Sequence, residues 1–151
     1  MSANAPIEMD DFGEYLQAVV VEMESGDMSK PLRDCAPVVR QSIRDNFNSS
    51  ADPENNDWVE RKYVGDGHPL LIDTGKMMQA ATGGGPGAVF RTGQRELELG
   101  IDLDIVPYAR RHNYGDQDDG MPKREFIGAK EEHLVECETI IADHAEQFFT
   151  R

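Results

Sequence analysis

One stretch of the chain, residues 95–105 (RELELGIDLDI), alternates between apolar side chains and side chains that are mostly acidic. The apolar side chains of this stretch are Leu97, Leu99, Ile101, Leu103 and Ile105. The acidic side chains between them are Glu96, Glu98, Asp102 and Asp104. A period of two places alternate residues on opposite faces of a β-strand. The pattern therefore predicts a strand with one buried face and a row of four carboxylates on the other.

A second strand is predicted immediately before this one. Ala88–Thr92 (AVFRT) is rich in residues that favour strands, and Gly93-Gln94 can turn the chain between the two. The glycine-rich residues 83–87 (GGGPG) predict a flexible hinge or hairpin tip. Together these segments predict a small, mostly antiparallel sheet.

Three other segments carry apolar residues at the helical period. The first has Asp11 as its cap and stops at Gly26. The second has Ser29 as its cap, and Pro37 either kinks it or marks its true start. The third runs from about residue 129 to 149 and forms a long C-terminal helix.

The remaining segments connect these elements. Residues 1–9 predict a flexible N-terminal arm, and residues 48–69 predict a loop with Trp58 as its apolar anchor. Residues 70–82 predict an apolar turn followed by a short helix, and residues 121–128 a short extended piece. The order predicts one α+β domain over residues 10–151, with two N-terminal helices, the small sheet and the long C-terminal helix.

The charge balance excludes some partners. Asp and Glu total 29 and Lys and Arg total 15, so the formal net charge is -14. Such a chain is poorly suited to neutralise nucleic-acid phosphates or to dock on an anionic membrane. No apolar run approaches the ~20 residues that span a bilayer, and the first residues lack the features of a signal peptide. We therefore expect a protein made in the cytoplasm, with no sequence-specific nucleic-acid binding and no membrane partner.

The motifs of common catalytic and metal sites are incomplete. The four histidines lack the spacing of zinc ligands, and Cys35 and Cys137 lie on apolar stripes, which predicts core thiols. Gly75-Lys76 lacks the rest of a phosphate-binding loop, and the acidic loop at residues 116–120 lacks the glutamate that completes an EF-hand. We expect no cofactor, no metal site and no catalytic residue.

Two alternatives stay open. Residues 70–75 (LLIDTG) resemble the catalytic turn of aspartic proteases, so a dimer could pair two copies of Asp73 around a shared proton. Such an enzyme should be nearly all β, and the same residues suit a plain turn or helix cap in which Asp73 or Thr74 binds a backbone N–H. The net charge and the carboxylate row would also suit an acidic DNA mimic that inhibits a DNA-binding protein.

Three segments in a fixed order resemble a known family. They are residues 70–77 (LLIDTGKM), 96–115 (ELELGIDLDIVPYARRHNYG) and 121–128 (MPKREFIG). In this order they resemble the phage virion-morphogenesis family, the tail-completion or neck proteins of tailed bacteriophages. The matching residues are Asp73, Thr74, Gly75, Tyr108, Ala109, His112, Gly115, Pro122, Arg124, Phe126 and Gly128. Trp58 upstream fits as well, and the resemblance extends over roughly residues 30–149.

The resemblance implies a structural role without enzymatic activity or cofactor. Such proteins complete the tail or neck at the head-tail junction of the virion, after assembly in the cytoplasm of the host bacterium. The implied partners are copies of itself in a ring of about 6 or 12 subunits. A tail terminator or tail tube protein is implied on one side and head-side connector or adaptor proteins on the other.

The resemblance also implies roles for individual residues. Gly75, Gly115 and Gly128 would permit tight backbone conformations. Tyr108, His112 and Phe126 would pack a loop against the sheet or against a neighbouring subunit. Arg124 would make a bidentate contact across that interface.

Charge patterns add two expectations about a ring. Arg110 and Arg111, with Lys123 and Arg124, bracket the acidic loop and suit a contact in which one subunit's loop meets the next subunit's arginines. The carboxylate row of Glu96, Glu98, Asp102 and Asp104 could line a channel and repel DNA phosphates as the DNA slides through. An ordinary solvated sheet face is the alternative explanation of the row.

Overall fold

The computed structural model describes residues 26–62, 67 and 69–149. Within these ranges the helices are α1 (Ser29–Ser49), α2 (Lys76–Ala81), α3 (Ala109–Tyr114) and α4 (Glu131–Phe149). The strands β1 (Ala88–Thr92) and β2 (Leu97–Ile101) lie between α2 and α3 and form a two-stranded antiparallel sheet. The predicted α+β class and the long C-terminal helix are confirmed. The N-terminal arm and the first predicted helix lie outside the described residues.

Helix α1 runs through its proline. Pro37 lies inside the helix and is exposed. Because of its position inside the helix, it does not mark the start. The prediction of Ser29 as the cap is also wrong, because Ser29 is the first helical residue. Its backbone N–H donates to Oδ1 of Asp27 at 2.9 Å, which supplies the acceptor expected at a helix start. The helix ends at Ser50, which has a left-handed backbone conformation.

An aromatic cluster forms the centre of the core. Phe47 on α1 lies edge-on to Trp58, with ring centroids 5.8 Å apart, and 5.0 Å from the ring of Phe126. Nε1 of Trp58 donates to the backbone oxygen of Glu125 at 2.9 Å, so this buried side chain also has its polar atom paired. Trp58 is the anchor of its loop, as predicted.

A second cluster joins the two long helices. Cys35 on α1 and Cys137 on α4 are buried beside Ile141, which confirms the prediction of core thiols. The Sγ atom of Cys35 lies 3.7 Å from the backbone oxygen of Cys137, and the reciprocal distance is 3.9 Å. A hydrogen bond with the Cys137 side chain, together with burial, raises the pKa of Cys35.

The hairpin is shorter than the alternation of the sequence predicts. The first strand has the predicted bounds, but β2 ends at Ile101. Asp102 starts a turn instead, in which its Oδ1 accepts the N–H of Asp104 at 2.9 Å and its backbone oxygen accepts the N–H of Val106 at 2.9 Å. Opposite Asp102, the backbone that leads into β1 turns at Gly87, whose oxygen accepts the N–H of Asp102 as the last bond of the ladder.

The predicted row of four carboxylates is therefore wrong. Glu98 alone of the four lies on the strand, while Glu96 precedes it and Asp102 and Asp104 belong to the turn. The predicted buried face also ends with the strand, because Leu103 and Ile105 are exposed. The local turn formed by an aspartate side chain competes successfully with strand pairing at this point.

Two buried asparagines hold the segment before α4. Oδ1 of Asn113, on α3, accepts the N–H groups of Phe126 and Ile127, both at 3.0 Å. Nδ2 of Asn46, on α1, donates to the backbone oxygens of Phe126 at 3.0 Å and Gly128 at 3.1 Å. We call these four bonds the asparagine clamp. Because the clamp satisfies these backbone groups, residues 122–128 are held in place without joining a sheet, and the chain bends at Ile127 and Gly128.

Replacement of Asn113 by alanine should lower the free energy of unfolding by about 2–4 kcal/mol, because two buried N–H groups lose their acceptor. Chemical denaturation followed by circular dichroism measures this loss. Asn48→Ala, at an exposed position of α1, is the control and should change stability by less than about 0.5 kcal/mol. Equal stabilities of the two variants would contradict a structural role for the clamp.

The native thiols should be unreactive toward a disulfide reagent at a pH of about 8, because Cys35 and Cys137 are both buried and out of reach of the reagent. Unfolding in urea should make both react at once. The release of thionitrobenzoate measures the number of reactive thiols. Rapid reaction of either thiol under native conditions would show that the contact between α1 and α4 opens readily.

Candidate functional site

A cleft of about 450 Å³ lies where the turn before α2 meets α3 and the segment before α4. Six residues that the family resemblance singles out line it, and they come from three separate parts of the chain. They are Asp73, Thr74, Gly75, Tyr108, His112 and Arg124. Residues far apart in sequence thus meet around one concavity, which makes the cleft the strongest candidate for a functional site.

The turn at residues 70–75 shapes one wall of the cleft. Leu71 and Gly75 both have positive φ angles, of 63° and 81°, so the chain reverses sharply before α2. Oγ1 of Thr74 accepts the N–H of Lys76 at 3.3 Å. The Asp-Thr-Gly segment is therefore a turn in which Thr74 binds a backbone N–H, one of the two explanations predicted for it. Asp73 is exposed beside the cleft.

His112 lies on α3 at the opposite wall. Its ring is edge-on to Tyr108, with centroids 6.2 Å apart, and its backbone oxygen accepts the N–H of Arg124 at 2.9 Å. Its Nδ1 atom is buried and has no hydrogen-bond partner among the described residues. Burial, followed by the positive charges of Arg124 and Arg111, lowers the pKa of His112. The imidazole is therefore neutral at neutral pH.

Arg124 connects the cleft to the loop that follows Trp58. Its Nε donates to the backbone oxygen of Val59 at 2.8 Å, and its Nη2 donates to that of Glu60 at 3.3 Å. These bonds hold the loop next to α3. Two nitrogens of Arg124 are thus bonded to backbone oxygens of its own chain, and the bidentate contact across a subunit interface that the resemblance implies stays a prediction.

The acidic loop also finds partners within the chain. Nε of Arg111 lies 3.0 Å from Oδ2 of Asp116, and its Nη2 pairs with Asp119. Arg111 therefore uses these donors inside one subunit. A contact of the acidic loop with the next subunit's arginines stays a prediction for Arg110, which is exposed.

The other residues implied by the resemblance lie away from the cleft and shape the chain around it. Gly115 has a φ of 75°, and a Cβ there would lie 2.8 Å from the backbone nitrogen of Lys123. A Cβ at Gly128 would lie 2.5 Å from Cγ of Pro53. Phe126 is completely buried, and Pro122 lies between these two glycines in the same extended segment.

Sequence reasoning missed two cationic residues of the cleft. Arg61 and Lys76 line it with Arg124, whereas Asp73 is the acidic residue of the lining. Lys76 follows the Asp-Thr-Gly turn directly, so its position next to this motif could have identified it as a cleft residue. Arg61 is brought there by a loop without periodicity, so no local pattern could place it. The lining therefore has an excess of positive charge on a chain of net charge -14.

The chain has no evident relatives in the comparisons made. No protein-family model, no curated protein and no solved structure matched it. Across the described ranges, no group of three or more His, Cys, Asp or Glu side chains is placed to hold a metal ion. No helix in that part of the chain is long and apolar enough to cross a membrane.

His112→Gln should reduce the loss of stability on acidification from a pH of about 7.5 to about 5. A lowered folded-state pKa means that the unfolded chain binds the proton first. The stability that neutral His112 contributes is therefore fully present above the pKa of this group in the unfolded chain. It is lost as the pH falls from that pKa to the lower pKa in the folded protein. Urea midpoints of both proteins at the two pH values measure the difference. Identical pH dependence would contradict the burial of a neutral imidazole.

Proposed function

We propose that this protein is a structural component of the neck of a tailed phage, which completes the tail and joins it to the head as a subunit of a ring. The observation that carries the proposal is the convergence at one cleft of residues from three sequence segments that resemble the phage family. A shared surface for a neighbouring protein accounts for their meeting.

The charge of the cleft supports a protein partner. Arg61, Lys76 and Arg124 form a local excess of positive charge on a chain that otherwise repels acidic proteins, including its own copies. Charges arranged in this way favour one orientation of a partner and disfavour others. We infer that the cleft receives an acidic side chain of an adjacent neck or tail protein.

Neither alternative function gains a supporting observation. The protease alternative requires a nearly all-β fold, whereas the described residues form an α+β fold in which Asp73 precedes a six-residue helix. The DNA-mimic alternative was based on the net charge and the carboxylate row, and the hairpin presents Glu98 alone of that row on its strand.

Deletion of the gene from the phage or prophage that encodes it tests the proposal directly. We expect electron microscopy of the lysate to show full heads beside separate tails, because the joining component is missing. Intact particles would overturn the proposal. Aberrant, unmatured heads would also overturn it and would favour processing by Asp73, which Asp73→Asn should then reproduce.

Complementation of that deletion tests the role of the cleft. Lys76→Glu should lower the yield of joined particles by about tenfold or more, because it places a second carboxylate where an acidic partner is expected. Lys30→Glu, at an exposed position of α1, is the control with the same charge change and should complement normally. Equal complementation by both variants would contradict the assignment of the cleft, and equal thermal stabilities are required for the comparison.

A further inference from the structure

The phase of the hairpin ladder determines which backbone groups face outward. Gly93 N–H donates to the backbone oxygen of Glu96 at 2.8 Å, and Asp102 N–H donates to that of Gly87 at 2.7 Å. Hydrogen-bonded and non-bonded pairs alternate along an antiparallel ladder. The N–H and C=O groups of the alternate β2 residues therefore point away from β1. These residues are Leu97, Leu99 and Ile101.

The same phase leaves the outer edge of β1 open. The backbone groups of Phe90 and Thr92, which are opposite Leu99 and Leu97, point away from β2. Among the described residues, none forms a backbone hydrogen bond with the outward groups of Leu97, Leu99, Ile101, Phe90 or Thr92. Within the described ranges, both edges of the hairpin thus have no strand partner.

A groove of about 440 Å³ runs beside β2, between the strand and α3. Leu99 and Gly100 line it, and Leu103 and Tyr114 beside them are 42% and 69% exposed. A Cβ at Gly100 would meet nothing within 4 Å, so the face of the strand at this residue is uncovered by the described residues. An open strand edge beside exposed apolar side chains is a template for an added strand.

We propose that the β2 edge of one copy pairs with the β1 edge of a second copy, so that an antiparallel sheet continues from subunit to subunit. Arg91 on β1 and Glu98 on β2 form an exposed ion pair within the hairpin, 3.4 Å apart, and the proposed pairing continues this alternation of cation and carboxylate from one copy to the next. Pairing of two β2 edges would instead place carboxylates together. Because the paired edges differ, the contact is heterologous, and it forms a ring where its rotation closes. The inference rests on the proposed ring function.

Disulfide trapping tests the pairing. Phe90→Cys protein is mixed in turn with the variants Leu97→Cys, Leu99→Cys and Ile101→Cys, which cover alternative registers, and oxidised with diamide. High salt, about 0.5 M, screens the repulsion between acidic copies. We expect a mixed disulfide dimer with one of the three partners and none with Thr139→Cys, on the exposed side of α4.

Two results would overturn the pairing. One is the absence of a cross-link with all three partners. The other is a faster homodimer of Leu99→Cys alone, which would indicate pairing of two β2 edges. The native Cys35 and Cys137 are buried and should not contribute to trapping.

A proline substitution tests whether the contact involves the backbone. Leu99→Pro removes an outward N–H without breaking a bond to β1, and edge strands tolerate proline at such positions. It should weaken self-association, measured by sedimentation, by about tenfold relative to Leu99→Ala, which keeps the N–H. Equal association of the two folded variants would overturn a backbone-mediated edge.

The experiments separate this inference from the function on which it rests. Failure of trapping together with separate heads and tails in the deletion lysate would remove the sheet contact and retain the neck role. Successful trapping together with intact particles in that lysate would retain the contact and remove the neck role.

Discussion

The described fold depends on the asparagine clamp. Asn46 from α1 and Asn113 from α3 reach the backbone of the same short segment from two sides. This segment carries the fully buried Phe126 into the aromatic cluster. Ser42, one turn before Asn46, accepts the N–H of Lys130 at 2.7 Å and so fixes the entry into α4. An extended strand without a sheet partner is stable here because side-chain amides supply the bonds of a ladder.

The cleft is a consequence of this arrangement. Once α3 is tied to the extended segment, the N–H of Arg124 meets the backbone oxygen of His112, and its guanidinium reaches the loop at Val59 and Glu60. That loop follows Trp58, which is itself bonded to Glu125 in the segment. The walls of the cleft are therefore connected to one another by hydrogen bonds through the segment before α4.

The net charge of the chain limits which of its surfaces can support association. A chain with a formal net charge of -14 repels other copies of itself at a distance. Association then requires places where the local balance is reversed or where backbone groups and apolar area prevail. In the cationic cleft the local charge balance is reversed. At the hairpin edges, backbone groups and apolar area prevail. These edges carry Arg91 on one strand and Glu98 on the other.

The sequence by itself determined the elements whose signal is local. The bounds of β1, the apolar faces of α1 and α4, the anchoring by Trp58 and the turn formed by Thr74 all follow from short patterns. Periodicity and turn chemistry act over a few residues, so one sequence suffices to identify them. The same reasoning collected the residues of the cleft as separate motifs, without placing them together.

Only the tertiary structure decided where β2 stops and that α3 forms. It also placed the two asparagines in the clamp and Arg61 in the cleft. The strand ends because its partner turns at Gly87, a fact about another part of the chain. Asn46 bonds to residues about 80 positions away, where no local pattern distinguishes it from an exposed asparagine such as Asn48. Buried polar side chains are selected by the backbone groups that they satisfy, and those groups come together only when the chain folds.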